Sequence, residues 1–148
     1  SSRTTHAAAE ALDACRLFAF QLRAALLGGD RAQLLQAPQL VLDTPALRAL
    51  ADRDHAAVPA TRIRGTGYVV DALSAALWCF ATTDCFADAV LRAANLGDDA
   101  DTTAAICGQL AGAFYGIDGI PAAWRARVQD AAEIVALADR LHAASVAG

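Results

Sequence analysis

The segment Asn95-Leu96-Gly97-Asp98-Asp99-Ala100-Asp101-Thr102-Thr103 carries the densest chemistry in the sequence. It sets three carboxylates within four residues at the mouth of an apolar helix. Such groups repel one another unless a cation, or a deficit of water, relieves the repulsion. The chain has no lysine, and the arginine nearest in sequence is Arg92, so no neighbour along the chain neutralises them. Carboxylates beside a hydroxyl form a hard oxygen donor set, which Mg²⁺ or Mn²⁺ selects. The first reading is therefore half of a divalent-metal site. The blander reading is a helix cap, since Asp and Thr satisfy orphan N–H groups at helix N-termini and suit the macrodipole. One such residue suffices for a cap. A second and third Asp add repulsion for little gain, and that excess favours the metal.

The elements that must position this segment all read as helices. Leu12, Cys15, Ala19, Leu22 and Leu26 form an apolar stripe on a helix that stops at Gly28-Gly29. Asp30 caps a short helix through Leu35, ended by Pro38, and Thr44-Pro45 opens another that runs to about Arg53. From His55 to Tyr68 the chain is a loop containing Pro59 and the turn Gly65-Thr66-Gly67. A helix over 69–80 follows, with Leu73, Leu77 and Phe80 inward, and Asp84 caps the next, which runs to about Ala94. The acidic segment then starts a helix from Asp101 to Gly116. Ile120-Pro121 begins a last helical region reaching about Ala144, with at most one break and a stripe of Ile134, Leu137, Ala138 and Leu141. No strand alternation is present, so the fold class is all-α.

Gly108, Gly112 and Gly116 recur every four residues and share a face of the Asp101 helix. Glycine costs about 1 kcal/mol relative to alanine inside a helix, so close approach of a neighbouring helix is expected as compensation. Such packing would fix the carboxylates at the helix mouth, although ordinary small-residue packing without a site gives the same spacing.

Composition excludes several classes. The 148 residues are one domain's worth, and a hydrophobic fraction of 56 % with 6 % aromatics reflects alanine-rich, closely packed helices. A net charge of −4 and the lack of a basic stripe exclude a nucleic-acid surface. Arg62 and Arg64 form the only compact basic pair near a glycine turn. Cys15, Cys79, Cys85 and Cys107 have neither CxxC spacing nor paired histidines, which excludes zinc and reads as four small core residues of a reducing, cytoplasmic compartment. The nearly uncharged run from Thr103 to Ile117 is too short to span a bilayer, so no membrane role is expected. The start Ser-Ser-Arg-Thr-Thr-His is no signal peptide, and the absence of any methionine reads as a fragment or a processed chain.

Several ordered motifs resemble the ADP-ribosylglycohydrolase family, nearest to bacterial enzymes similar to dinitrogenase reductase-activating glycohydrolase. They are Gly67-Tyr68-Val69-Val70-Asp71, Ala75-Ala76-Leu77-Trp78, Asn95 through Ile106, Gly108 through Gly116, and Ile120-Pro121-Ala122-Ala123-Trp124, with Ser2-Arg3-Thr4-Thr5-His6 at the start. The resemblance covers nearly all of residues 1–148 and implies a compact helical domain with two Mg²⁺ or Mn²⁺ ions at the base of a cleft. It also implies hydrolysis of the bond between the anomeric carbon of ADP-ribose and a modified side chain, often arginine. Asp99, Asp101 and Thr102 match the family's C-terminal metal ligands, with Asp99 and Asp101 as the catalytic pair and Asp101 between the ions. Tyr68, with Gly67, is matched to substrate binding at the adenosine or distal ribose, against the alternative of a loop aromatic tucked on the core. His6 is placed near the cleft or, more blandly, on the surface, and Asp98 in a supporting or surface position. The implied chemistry is a metal-activated water attacking the anomeric carbon, with a proton delivered to the leaving side chain by an acid.

The family's other metal ligands belong to an N-terminal half with a Gly-Asp-Ala-rich start and a Thr-Asp-Asp motif, and this sequence contains neither. Thr83-Asp84 and Asp43-Thr44 are the nearest imitations, and both read as helix caps. The expectation is the C-terminal half of the catalytic domain, either a piece of a longer enzyme or a half that pairs with a partner chain. Its expected partners are an ADP-ribosylated protein or an ADP-ribose-type small molecule. The competing readings are a non-catalytic ADP-ribose-binding or structural module, and a helical interaction domain whose acidic cluster only caps.

Overall fold

A computed structural model describes residues 2–37 and 39–146, and Pro38, expected to end the second helix, lies outside the described residues. Eight α-helices follow one another: α1 Ala9–Leu26, α2 Arg31–Leu35, α3 Pro45–Ala51, α4 Val69–Ala81, α5 Phe86–Ala94, α6 Ala100–Gly119, α7 Ala122–Arg125 and α8 Ala131–Val146. Short 3-10 turns occupy Ser2–Thr4 and Ala60–Arg62. Among the described residues there is no strand, so the fold is all-helical as expected. None of these helices is long and apolar enough to cross a membrane.

Helix α4 is the axis of the core. Eight of its 13 residues are buried, including Leu73, Leu77 and Phe80, which is why its sequence is almost uninterrupted alanine, leucine and aromatic. It packs against α1, α5 and α6, while α2 and α3 close one side. Asp30 caps α2 through a reciprocal pair, its Oδ1 accepting from the Gln33 N–H at 2.8 Å while its own N–H donates to Gln33 Oε1 at 3.0 Å. Thr44 precedes Pro45 as expected, but its hydroxyl does not cap α3. Instead the Thr44 N–H and O–H both donate to Asp13 Oδ2, at 2.7 and 2.9 Å, tying α3 to the buried carboxylate of α1.

Four expectations are corrected. Helix α1 buries Asp13, Ala14, Leu17, Gln21 and Ala25, and leaves Cys15, Ala19 and Leu26 exposed with Leu12 and Leu22 half-buried. Helix α5 is capped by Cys85, whose Sγ accepts from the Asp88 N–H at 3.4 Å, rather than by Asp84. Cys15 and Cys85 are exposed, and only Cys79 and Cys107 are core residues, with burial pushing both thiols up to about 12. The stripe on α8 meets no core, because no residue of that helix is buried. The expected break falls between α7 and α8, where Asp130 turns with φ +55°.

The glycine face of α6 behaves in two ways. A methyl on Gly108 would lie 3.6 Å from Val90 Cγ2, and one on Gly112 3.7 Å from Phe86 Cε2, which is ordinary contact with α5 rather than exclusion. Gly116 is different: its φ of +72° and ψ of 177° interrupt the helix before its last turn, a conformation that glycine adopts without steric cost.

Candidate functional site

Two chain segments build the site. The turn Gly97-Asp98-Asp99 leads into α6, and the turn Gly65-Thr66-Gly67-Tyr68 leads into α4. They are fastened by the Asp99 N–H, which donates to the Gly65 carbonyl at 2.7 Å. Side chains are kept out of the junction by glycine: a Cβ on Gly65 would lie 2.9 Å from Thr103 Oγ1 and 3.6 Å from the Gly97 carbonyl. Thr103 is fully buried behind it, and both its N–H and its hydroxyl donate to the Asp99 carbonyl, at 3.1 and 3.0 Å. The backbone of Asp99 is therefore held on its N–H and its C=O at once.

The carboxylate of Asp99 remains available. It stands at the N-cap position of α6 but accepts no capping hydrogen bond, so helix capping does not account for it. Its Oδ2 faces Gly67, where a Cβ would lie 3.6 Å away. The neighbouring Asp99 carboxyl, together with the Thr102 N–H that donates to Asp101 Oδ1 at 2.9 Å, holds the Asp101 pKa below the usual carboxylate range. Asp101 and Thr102 are exposed on the first turn of α6. Two carboxylates and one hydroxyl on this turn are hard oxygen donors, the type that divalent cations such as Mg²⁺ take. Among the described residues, no group of three or more His, Cys, Asp or Glu side chains converges to hold a metal.

Asp98 leaves this group. With φ +53° its side chain turns to Arg64, whose Nε lies 3.5 Å from Asp98 Oδ2, so one of the three carboxylates has a cationic neighbour 34 residues away in sequence. Tyr68 is 46 % exposed rather than tucked on the core, and the neighbouring Glu10 carboxylate of α1 raises its pKa above the ordinary tyrosine value. The turn that presents it is set by Thr66, whose hydroxyl donates to Asp71 Oδ2 at 2.9 Å and accepts from the Tyr68 N–H at 3.2 Å. His6 is exposed ahead of α1. The structure thus brings Gly67 against Asp99, and Asp99 against Asp101. It adds Glu10, Arg64, Gly65, Asp71 and Thr103 as their partners. Arg64 stood out in sequence as half of a basic pair, Gly65 as half of a Gly-Thr-Gly turn, and Asp71 and Thr103 as ends of motifs, whereas nothing in the sequence marked Glu10.

The helical fold is shared with known proteins. The chain belongs to the ADP-ribosylglycohydrolase family, whose model matches residues 1–147. It is 43 % identical over 147 residues to the ADP-ribosylarginine hydrolase Tri1 of Pseudomonas putida (strain GB-1), covering 95 % of this chain and 38 % of that protein. To the ADP-ribosyl-[dinitrogen reductase] glycohydrolase of Rhodospirillum rubrum it is 40 % identical over 65 residues, covering 44 % of this chain and 22 % of the other. A solved structure described as an ADP-ribosylglycohydrolase-related protein complex superposes with a TM-score of 0.83 at 41 % identity, over 93 % of this chain and 48 % of that one. The chain therefore spans well under half the length of the curated relatives it matches.

Proposed function

We propose that this chain supplies the Asp-rich part of a metal-dependent hydrolase that releases ADP-ribose from modified protein side chains, with ADP-ribosyl-arginine as the substrate class. The observation that carries the reading is the Asp99 carboxylate, pinned through its backbone to Gly65 and Thr103, unspent on capping and set against Asp101. The names of the relatives support the substrate class. Asp99, Asp101 and Thr102 are the residues that would hold Mg²⁺ or Mn²⁺. A pair of such ions supplies a water of lowered pKa and orients hydroxyls of the ribose. Asp99 and Asp101 fix the position of the reacting end of the substrate. Gly67 leaves room beside Asp99, and the exposed ring and hydroxyl of Tyr68 meet the adenosine or distal ribose.

A second reading is an ADP-ribose-binding or structural module without catalysis, since the two carboxylates and one hydroxyl leave the other Mg²⁺ positions to water or to groups outside this chain. Release of ADP-ribose from ADP-ribosyl-arginine by this chain, with Mn²⁺ or Mg²⁺ and with Asp101→Ala as control, decides between them. Metal-dependent release that Asp101→Ala reduces by two orders of magnitude or more is expected of a hydrolase (about 3 kcal/mol of transition-state stabilisation). Binding of ADP-ribose without release establishes the module, and neither binding nor release overturns both readings.

A further inference from the structure

At the last turn of α4, about 18 Å along the helix from the end that carries Tyr68, a cavity of about 380 Å³ opens between α2, the α3–α4 connection and Ala81. That volume falls within the range of small-molecule sites. Two guanidiniums line it, those of Arg31 and Arg53, with Asp54 as the one acid. The Asp54 carboxylate is engaged by its own turn, Oδ1 accepting from the Ala56 and Ala57 N–H groups at 3.1 and 3.3 Å. Among the described residues neither arginine has a carboxylate partner, although the chain as a whole is acidic at −4. Arg53 donates only to the Ser74 hydroxyl, at 3.2 Å. Arg31 uses its two Nη atoms on Phe80, Thr83 and Tyr115, and its Nε donates to no described residue. His55, 2 % exposed, lines the same cavity. Neither of its ring nitrogens hydrogen-bonds to a described residue, although the Leu35 and Leu50 carbonyls stand nearby.

A buried imidazole is rarely left without a partner, and where the protein supplies none a water or a ligand does. Water alone would satisfy His55 but would leave two uncompensated guanidiniums facing one cavity, which repel each other. An anion answers both demands. We propose that this cavity binds a small molecule through a carboxylate or phosphate group, with Arg53 and Arg31 Nε as its charged donors and His55 as its buried donor. The Arg53 fork exchanges one neutral hydroxyl for charged oxygens, the stronger class of hydrogen bond. Ala32, Leu35, Ala56 and Ala81 leave room for an apolar remainder of the ligand. Once bound, the ligand ties α2 to the α3–α4 connection. The site is independent of the Asp99 turn and of the ADP-ribose reading.

The test is an amide NMR titration of this chain with sulfate, which stands in for a phosphate at constant charge, and with acetate, which stands in for a carboxylate. Sodium chloride at matched ionic strength removes the effect of screening. Saturable shifts of the amides of residues 53–57 are expected, with a dissociation constant of roughly 10 mM or tighter. A response to sulfate alone assigns the ligand to the phosphates, one to acetate alone to the carboxylates, and one to both to either group. Arg53→Ala is expected to weaken binding about ten-fold or more, and His55→Leu by a similar factor. Arg140→Ala on α8 changes nothing. Arg53 is exposed, so its variant keeps the fold and decides the matter even where His55→Leu does not fold. The proposal is overturned if neither anion gives a saturable shift beyond that of chloride, which leaves the cavity to water. It is equally overturned if Arg53→Ala, or a folded His55→Leu, binds as the wild type does.

Discussion

At Gly65, one missing methyl group decides whether the two halves of the site can meet. Placing a Cβ 2.9 Å from Thr103 Oγ1 forces that hydroxyl off the Asp99 carbonyl or pushes the loop outward. Overpacking of this kind costs about 1–3 kcal/mol, which is the loss expected for Gly65→Ala by urea unfolding. Gly67→Ala places its methyl at an ordinary 3.6 Å from Asp99 Oδ2 and is expected to change stability by less than about 0.5 kcal/mol. Equal effects of the two substitutions would show that the brace at Gly65 yields. The buried Thr103, with its N–H and hydroxyl both on one carbonyl, is the reason it should not.

Between elements, the clearest joint is Arg31 at the start of α2. Its guanidinium lies 5.0, 5.6 and 6.0 Å from the ring centroids of Phe80, Phe114 and Tyr115. It also donates to the carbonyls of Phe80 and Thr83 and, at 2.6 Å, to the Tyr115 hydroxyl. A five-residue helix with one buried residue could not hold its place through apolar contact alone, so this cation docks it onto the ends of α4 and α6. Arg31→Ala is expected to destabilise the protein by about 3 kcal/mol, and Arg31→Lys to recover little, because one ammonium cannot span the same acceptors in a planar fork. Denaturation midpoints of the two variants check this, and full recovery by lysine would reduce the joint to simple charge. Helix α8 is the opposite case. With no buried residue it contributes little to the body, and removing residues 131–148 is expected to leave the unfolding midpoint of the remainder unchanged.

For the whole molecule, acid sensitivity turns on His55, 2 % exposed in the connection between α3 and α4. Burial, reinforced by the neighbouring charge of Arg53, depresses its pKa from 6.5 to about 4. A depressed histidine binds fewer protons folded than unfolded, so its contribution to stability is complete above about pH 6.5. That contribution declines as the pH falls toward 4. Between pH 7 and pH 5 the expected loss is about 2 kcal/mol, and His55→Leu should flatten that part of the profile. Urea titrations at the two pH values decide it; an unchanged slope in the variant would assign the acid sensitivity to other groups.

The sequence by itself determined where the helices run and where the acidic turn stands at the start of α6. Caps, prolines and paired glycines act over three or four residues, so Asp30, Thr44-Pro45, Gly28-Gly29 and the acidic turn mark boundaries that the structure keeps to within a few residues. The all-helical class follows from the same local rules. Tertiary structure decided which faces are used. Helix α1 is apolar on more than one side, and only the positions of α2, α3, α4 and α6 select the face with Asp13 and Gln21 for burial over the one with Leu22 and Leu26. The stripe on α8 records amphipathicity, and periodicity cannot say whether a partner lies against it. The contacts that give the site its shape, Gly65 to Asp99, Gly67 to Asp99, Arg64 to Asp98 and Glu10 to Tyr68, join residues some 30 to 60 positions apart. Such pairs leave no mark in local spacing, because only the packing of α4 beside α6 and α1 brings them within reach.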